Sequence, residues 1–189
     1  MIDLFHLAAQ LQDIFISRQW KFCFIGGIAL QRWGEPRLTR DIDACLLTGF
    51  GGEEPFIDWL LEKYQSRVPD AKTFALTRRV LLLQSSSGIG IDIALGGLPF
   101  EETVVERASE FEFLPGLPLL TCSAEDLVIF KSFADRGRDW TDVETIIIRQ
   151  QGVLDWPYIF RQLTPLCEIK EAPEIVQRLK KMRDDCAHQ

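Results

Sequence analysis

Histidine is nearly absent from this chain. Its 189 residues include two, His6 and His188, both near the ends. The five cysteines (Cys23, Cys45, Cys122, Cys167, Cys186) are scattered, and no CxxC pair occurs. Those residue types are the usual zinc ligands, so a zinc site is not expected. Cys23 and Cys45 lie in strand-like runs and read as small buried hydrophobes. No apolar run approaches the roughly 18 residues that span a bilayer, and Val80–Leu83 is far shorter. The opening Met1–His6 has no basic segment followed by an apolar one, so a secretory signal is not expected. Thiols without such a signal point to a reducing, cytoplasmic setting, and the short apolar runs to no membrane partner. A basic platform is missing too. Lys and Arg number 21 against 28 Asp and Glu, for a net charge of −7. Residues 1–120 carry 11 basic and 16 acidic groups, and residues 121–189 carry 10 and 12. Neither part suits tight, sequence-independent nucleic-acid binding, though a local basic pocket stays open.

What remains is the composition of a globular protein, 47% hydrophobic and 26% charged. A chain of this length can bury a full core without disulfides or structural metals. Leu4, Leu7, Leu11, Ile14 and Phe15 recur at helical spacing and predict a helix over 3–18. Lys21–Ile25 reads as a strand, broken by Gly26-Gly27, and Ile28–Trp33 as a helix closed by Pro36. Asp41–Leu47 is a second strand, and Glu53–Ser66 a helix. Arg79–Gln84 and Ile89–Leu95 are strand-like runs joined by a hairpin-like Ser-Ser-Ser-Gly linker. Pro99–Glu110 reads as helix, and Glu112–Leu120 as extended chain broken by Pro115 and Pro118. Ser123 followed by Asp126 resembles a capping box and opens a helix over 123–135. Three more helices are expected near 139–151, 155–166 and 172–187. The layout is α+β: a mixed α/β core over residues 1–120 and a helical segment over 121–189.

The chemistry-bearing stretches are Gly26-Gly27-Ile28-Ala29-Leu30 and Arg37-Leu38-Thr39-Arg40-Asp41-Ile42-Asp43. Two glycines between a strand and a helix let backbone approach a ligand closely. The amides of the helix start then favour an anion, which makes a phosphate cradle in principle. A Gly-Gly pair alone is more often only a turn. Asp41 and Asp43 share one face of a strand, about 6.6 Å apart along the chain. Ile42 and Ala44 take the other face. A solvated strand edge would also explain the pair, but Cys45 and Leu47 continue the Asp face as apolar residues. Asp92 sits inside the apolar run Ile89–Leu95, where a lone charge is costly unless paired or metal-bound. If that strand lies beside Asp41–Leu47, Asp92 comes within about 4.8 Å laterally of that pair. Three such carboxylates suit Mg²⁺ and in-line phosphoryl chemistry. An edge-strand charge turned to solvent is the alternative for Asp92.

These motifs resemble the polymerase-beta-like nucleotidyltransferase superfamily. The pattern Gly-Gly-x-Ala-Leu followed by Arg-x-Thr-x-Asp-x-Asp is similar to abortive-infection toxin nucleotidyltransferases and to small antibiotic nucleotidyltransferases. Lys131, followed by Arg138-Asp139 and Asp142, is similar to later elements of the toxin group. The likeness covers about residues 20–150. It departs where many members have Gly-Ser, because Gly27 supplies no hydroxyl. The chain is also shorter than typical toxins of the group. The resemblance implies a core of mixed sheet flanked by helices and transfer of a nucleoside monophosphate from an NTP such as ATP. It assigns Asp41, Asp43 and Asp92 as catalytic metal ligands for Mg²⁺ or Mn²⁺. Gly26, Gly27, Arg37, Thr39 and Lys131 would bind nucleotide. Surface placement is the bland alternative for Lys131. Arg138, Asp139 and Asp142 read better as a helix-start cap and ion pair. The implied acceptor is a tRNA, a protein or a small molecule, with a cognate antitoxin as a further partner in the toxin case. A silent nucleotide-binding or regulatory module, an antibiotic nucleotidyltransferase and an acidic docking domain stand as alternatives.

Overall fold

The computed structural model describes residues 1–187; His188 lies outside the described residues. These residues divide into two units. The first comprises 1–28 and 38–122, and the second 29–37 and the described residues from 123 on. The second unit thus includes segment 29–37 besides the C-terminal helices.

The first unit is built on a mixed sheet flanked by helices. Helix α1 (Ile2–Ser17) precedes β1 (Phe22–Phe24) and α2 (Gly26–Trp33). Then come β2 (Asp41–Leu47), α3 (Glu54–Lys63), β3 (Gln65–Ser66), α4 (Ala71–Arg78), β4 (Val80–Gln84) and β5 (Gly90–Gly96). Helix α5 (Pro99–Glu106) leads into β6 (Ser109–Leu114) and β7 (Leu117–Thr121). Among the described residues the strand order is β3-β4-β5-β2-β1-β7-β6. The β2–β5 and β1–β7 pairs are parallel and the rest antiparallel. The alternation read in β2 sets the core: Ile42, Ala44 and Leu46 are buried with Ile91, Ile93 and Leu95 of β5. Leu4, Leu11 and Phe15 of α1 join them, and Phe15 meets Phe22 edge-on at 4.9 Å between centroids. Burying one such Leu, Ile or Phe contributes roughly 1.5–3 kcal/mol.

Three expectations need correction. The helix predicted over 53–66 ends at Lys63, and Gln65–Ser66 instead pairs with β4. The helix predicted over 99–110 stops at Glu106, and Ser109 opens β6. The proline-broken run 112–120 belongs to a hairpin, turned at Gly116 with φ 73°. Proline lacks the amide a ladder needs, and the buried side chain of Gln12 serves the backbone around Pro118. Its Nε2 donates to the Pro118 carbonyl at 3.0 Å, and its Oε1 accepts from the Leu120 amide at 2.8 Å.

The second unit holds the remainder of α2 and helices α6 (Ala124–Ala134), α7 (Gly137–Arg149), α8 (Trp156–Ile169) and α9 (Glu174–Cys186). Ser123 caps α6 by accepting from the Asp126 amide at 3.1 Å. Asp126 does not return to the cap backbone as a capping-box acid would. Its carboxylate accepts from the Ser123 hydroxyl at 2.7 Å and the Tyr158 hydroxyl at 2.6 Å, tying α6 to α8. No helix among the described residues is long and apolar enough to cross a membrane.

Candidate active site

The parallel pairing of β2 with β5 sets Asp43 beside Asp92 and Asp41 beside Gly90. In parallel strands, residues in register project to the same face. Asp41, Asp43 and Asp92 therefore share the face opposite Ile42, Ala44, Ile91 and Ile93. All three carboxylates are partly buried. Burial is the main reason the Asp92 carboxyl rises from 3.8 to about 6; Arg67 pulls it down, while Asp43 and Asp41 push it further up. At neutral pH such a group is ionised, yet a better proton acceptor than an ordinary aspartate.

The glycine pair packs directly against this face. Gly26 opens α2 with φ +55°, and a Cβ there would lie 2.2 Å from Asp43 Oδ2. A Cβ on Gly27 would lie 2.2 Å from Thr39 Oγ1. Both positions thus demand glycine, because Asp43 and Thr39 fill the space. The Gly27 amide points at Asp43 Oδ2 at 3.3 Å, and the Thr39 hydroxyl donates to the Asp41 carbonyl at 3.3 Å. The first amides of α2 are thereby brought against the carboxylate face.

A basic residue unforeseen from the sequence completes the picture. Arg67 donates through Nη2 to Asp92 Oδ1. Its backbone amide donates to the Leu82 carbonyl at 3.0 Å, and Leu82 is the β4 partner of Asp92. No sequence signal marks Arg67, because its approach to Asp92 depends on the β3–β4–β5 pairing.

Arg37 and Lys131 lie in the second unit. Arg37 makes a two-pronged pair with Asp142, Nε to Oδ1 at 2.8 Å and Nη2 to Oδ2 at 2.7 Å. Lys131 Nζ lies 2.7 Å from Asp142 Oδ2 and 3.0 Å from Asp139 Oδ1. Arg136 Nε also reaches Asp139, at 2.5 Å. Lys131, Asp139 and Asp142 are all buried. Burial would raise the Asp142 carboxyl, but hydrogen bonds from Arg37 and Lys131 outweigh it and hold it below the usual range. Lys131 is therefore neither the surface lysine of the bland reading nor an unpaired charge. Of the basic run Arg178, Lys180, Lys181 and Arg183, which the sequence suggests as a solvated helix face, the first three lie exposed on α9 and Arg183 is half-buried.

Among the described residues, no three His, Cys, Asp or Glu side chains gather as a ready metal cage. Asp41, Asp43 and Asp92 share a face without closing on one point. Two of their oxygens are engaged, Asp43 Oδ2 by the Gly27 amide and Asp92 Oδ1 by Arg67. The donor chemistry still fits a hard divalent cation, since carboxylate oxygens are what Mg²⁺ takes.

No family model matches the chain, and no curated protein matches it. Solved structures do. A nucleotidyltransferase-like antigenic protein from Paracoccidioides brasiliensis is 14% identical, with TM-score 0.51 over 94% of this chain and 92% of that one. The lincosamide antibiotic adenylyltransferase LnuA, solved with lincomycin bound, is 17% identical, with TM-score 0.50 over 72% of this chain and 92% of that one. The fold is accordingly the mixed α+β fold of nucleotidyltransferase-like proteins.

Proposed function

We propose that this chain is a nucleotidyltransferase, moving a nucleoside monophosphate from an NTP to an acceptor and releasing pyrophosphate. The observation that carries the reading is the β2–β5 register, which sets Asp92 beside Asp43 on the face against which Gly26-Gly27 packs. The shared fold supports it.

In this reading Asp41, Asp43 and Asp92 hold Mg²⁺ or Mn²⁺, which would neutralise phosphate charge and polarise the α-phosphate. The Gly26-Gly27 turn and the first amides of α2 take phosphate oxygens, helped by the positive end of the helix. Thr39, against Gly27, keeps that turn in shape. Asp92 receives the proton of the acceptor hydroxyl. The acceptor oxygen bonds to the α-phosphorus as the bond from that phosphorus to the bridging oxygen breaks. Arg37 and Lys131 contribute through the network around Asp142, which fixes the residue four positions ahead of Asp41. A phosphate role for Lys131 requires it to exchange a carboxylate for nucleotide.

The test is incubation of the purified protein with each labelled NTP and Mg²⁺ or Mn²⁺. The acceptor panel contains tRNA, proteins, aminoglycosides and a lincosamide. Label on tRNA or protein supports a toxin-like or regulatory enzyme, whereas label on an antibiotic supports a resistance enzyme. Nucleotide binding without transfer supports the silent module, and no binding of any NTP refutes the proposal.

A further inference from the structure

The carboxylate face already contains one positive group, and its placement is built into the sheet. Arg67 follows β3 directly, and its amide is fixed to the carbonyl of Leu82, the residue paired with Asp92. That bond fixes the Arg67 backbone next to the strand position that faces Asp92. It pairs with Asp92 with both side chains mostly covered, at 30% and 29% exposure. It also flanks Gly90: the point a Gly90 Cβ would occupy is 3.2 Å from Arg67 Nη1 and 2.2 Å from Asp41 Oδ1. One cationic side chain thus pairs with Asp92 and lies near Asp41, on the face that Asp41, Asp43 and Asp92 share.

Resting on the nucleotidyltransferase reading, we infer that Arg67 is the resident counter-ion of this face, which a divalent cation must displace from Asp92 before all three carboxylates can act together. Arg67 is then a positioning residue. It steadies the carboxylates without metal and makes metal binding an exchange of one cation for another. Such an exchange lowers metal affinity in the absence of nucleotide, because the guanidinium must give up a hydrogen-bonded partner. By contrast, Lys72 pairs with Glu54 and Asp58 in the same unit, with no contact to this face, and serves as a control for net charge.

The experiment measures Mn²⁺ binding without nucleotide, by calorimetry or by electron paramagnetic resonance of free Mn²⁺. It compares the native protein with Arg67→Ala, Arg67→Lys and Lys72→Ala, and records the melting temperature of each in EDTA. Arg67→Gln, which keeps length and polarity, replaces the alanine variant if that one does not fold. The expected result is binding roughly two- to fivefold tighter in Arg67→Ala, as suits a partly exposed ion pair. An intermediate gain follows in Arg67→Lys and none in Lys72→Ala, with a lower metal-free melting temperature in Arg67→Ala. Equal or weaker Mn²⁺ binding in Arg67→Ala overturns the inference and leaves the nucleotidyltransferase reading intact. No binding of Mn²⁺, and none of any NTP with Mg²⁺, by the native protein overturns that reading, and this inference with it.

Discussion

Replacing Asp92 by asparagine should stabilise the metal-free protein, and only above a particular pH. The Asp92 carboxyl titrates near 6 in the fold against 3.8 ordinarily. A raised acid binds its proton more tightly folded than unfolded. Below pH 4 both states are protonated and Asp92 costs the native state nothing. Between about 4 and 6 the unfolded chain ionises while the native one does not, so stability falls as pH rises. Above 6 the loss is complete. At about 1.36 kcal/mol per unit, the shift corresponds to about 3 kcal/mol. The side chain is 29% exposed, so solvent trims that figure, and about 2 kcal/mol is expected. Asparagine is neutral at every pH and escapes the loss.

Urea denaturation in EDTA, from pH 4 to pH 7.5, gives the stability difference between Asp92→Asn and native protein. Any contribution from altered hydrogen bonding is constant with pH, so the growth of the difference is the signal. It should rise by about 2 kcal/mol, most steeply between pH 4 and 6. Repeating the pair in an Arg67→Ala background should enlarge the rise, because Arg67 pulls the Asp92 value down. A flat difference, or one that shrinks as pH rises, would refute the placement of Asp92 in a partly buried position beside Asp43 and Asp41.

Asp43→Asn should abolish transfer while keeping the fold, leave the metal-free melting temperature level or higher, and lose most of the Mg²⁺–NTP stabilisation in thermal melts. Gly26→Ala puts a Cβ 2.2 Å from Asp43 Oδ2 at a φ of +55°, and should cost about 1–3 kcal/mol in urea denaturation and weaken nucleotide binding. Lys131→Ala removes the cation shared by buried Asp139 and Asp142, which keep Arg136 and Arg37, and should cost about 1–3 kcal/mol, against less than about 0.5 kcal/mol for the exposed Lys180→Ala. If Lys131 also serves phosphate, NTP affinity of its folded variant, read by calorimetry at low temperature, drops more than that of Lys180→Ala.

Strand β2 was legible to the residue because it opens on a polar/apolar alternation and continues as an apolar run. Two acids share one face, Ile42 and Ala44 take the other, and a glycine turn follows at 49–52. The C-terminal helices were legible because their apolar residues recur at helical spacing. Helix α4 was not. It buries little besides Ala75 and is bracketed by left-handed Asp70 and Arg79, with φ 46° and 53°. Arg79 holds the far end through Glu53 at 2.5 Å and the Gly49 carbonyl at 3.0 Å. Those partners are distant in sequence, so no local pattern announces the helix. The β6–β7 hairpin was hidden for a similar reason. Two prolines argue against strand, and only Gln12, more than a hundred residues away, makes the backbone around Pro118 tolerable.

For the site, motif spacing located residues but not their partners. Asp41 and Asp43 follow from strand parity, and Asp92 from the cost of a charge in an apolar run. The sheet order that joins them is tertiary. The same distinction separates the two groups of nucleotide-binding candidates. Gly26, Gly27 and Thr39 are shaped by Asp43 and by one another, so their geometry refers to the carboxylate face. Arg37 and Lys131 are shaped by Asp142, and Lys131 by Asp139 as well. Breaking a buried pair costs several kcal/mol, whereas the exposed ion pairs of a phosphate with a solvated lysine contribute under about 1 kcal/mol. Nucleotide would therefore have to desolvate with Lys131, or leave its pairs intact. The second course costs less, and it leaves Lys131 and Arg37 as partners of Asp142 within the second unit.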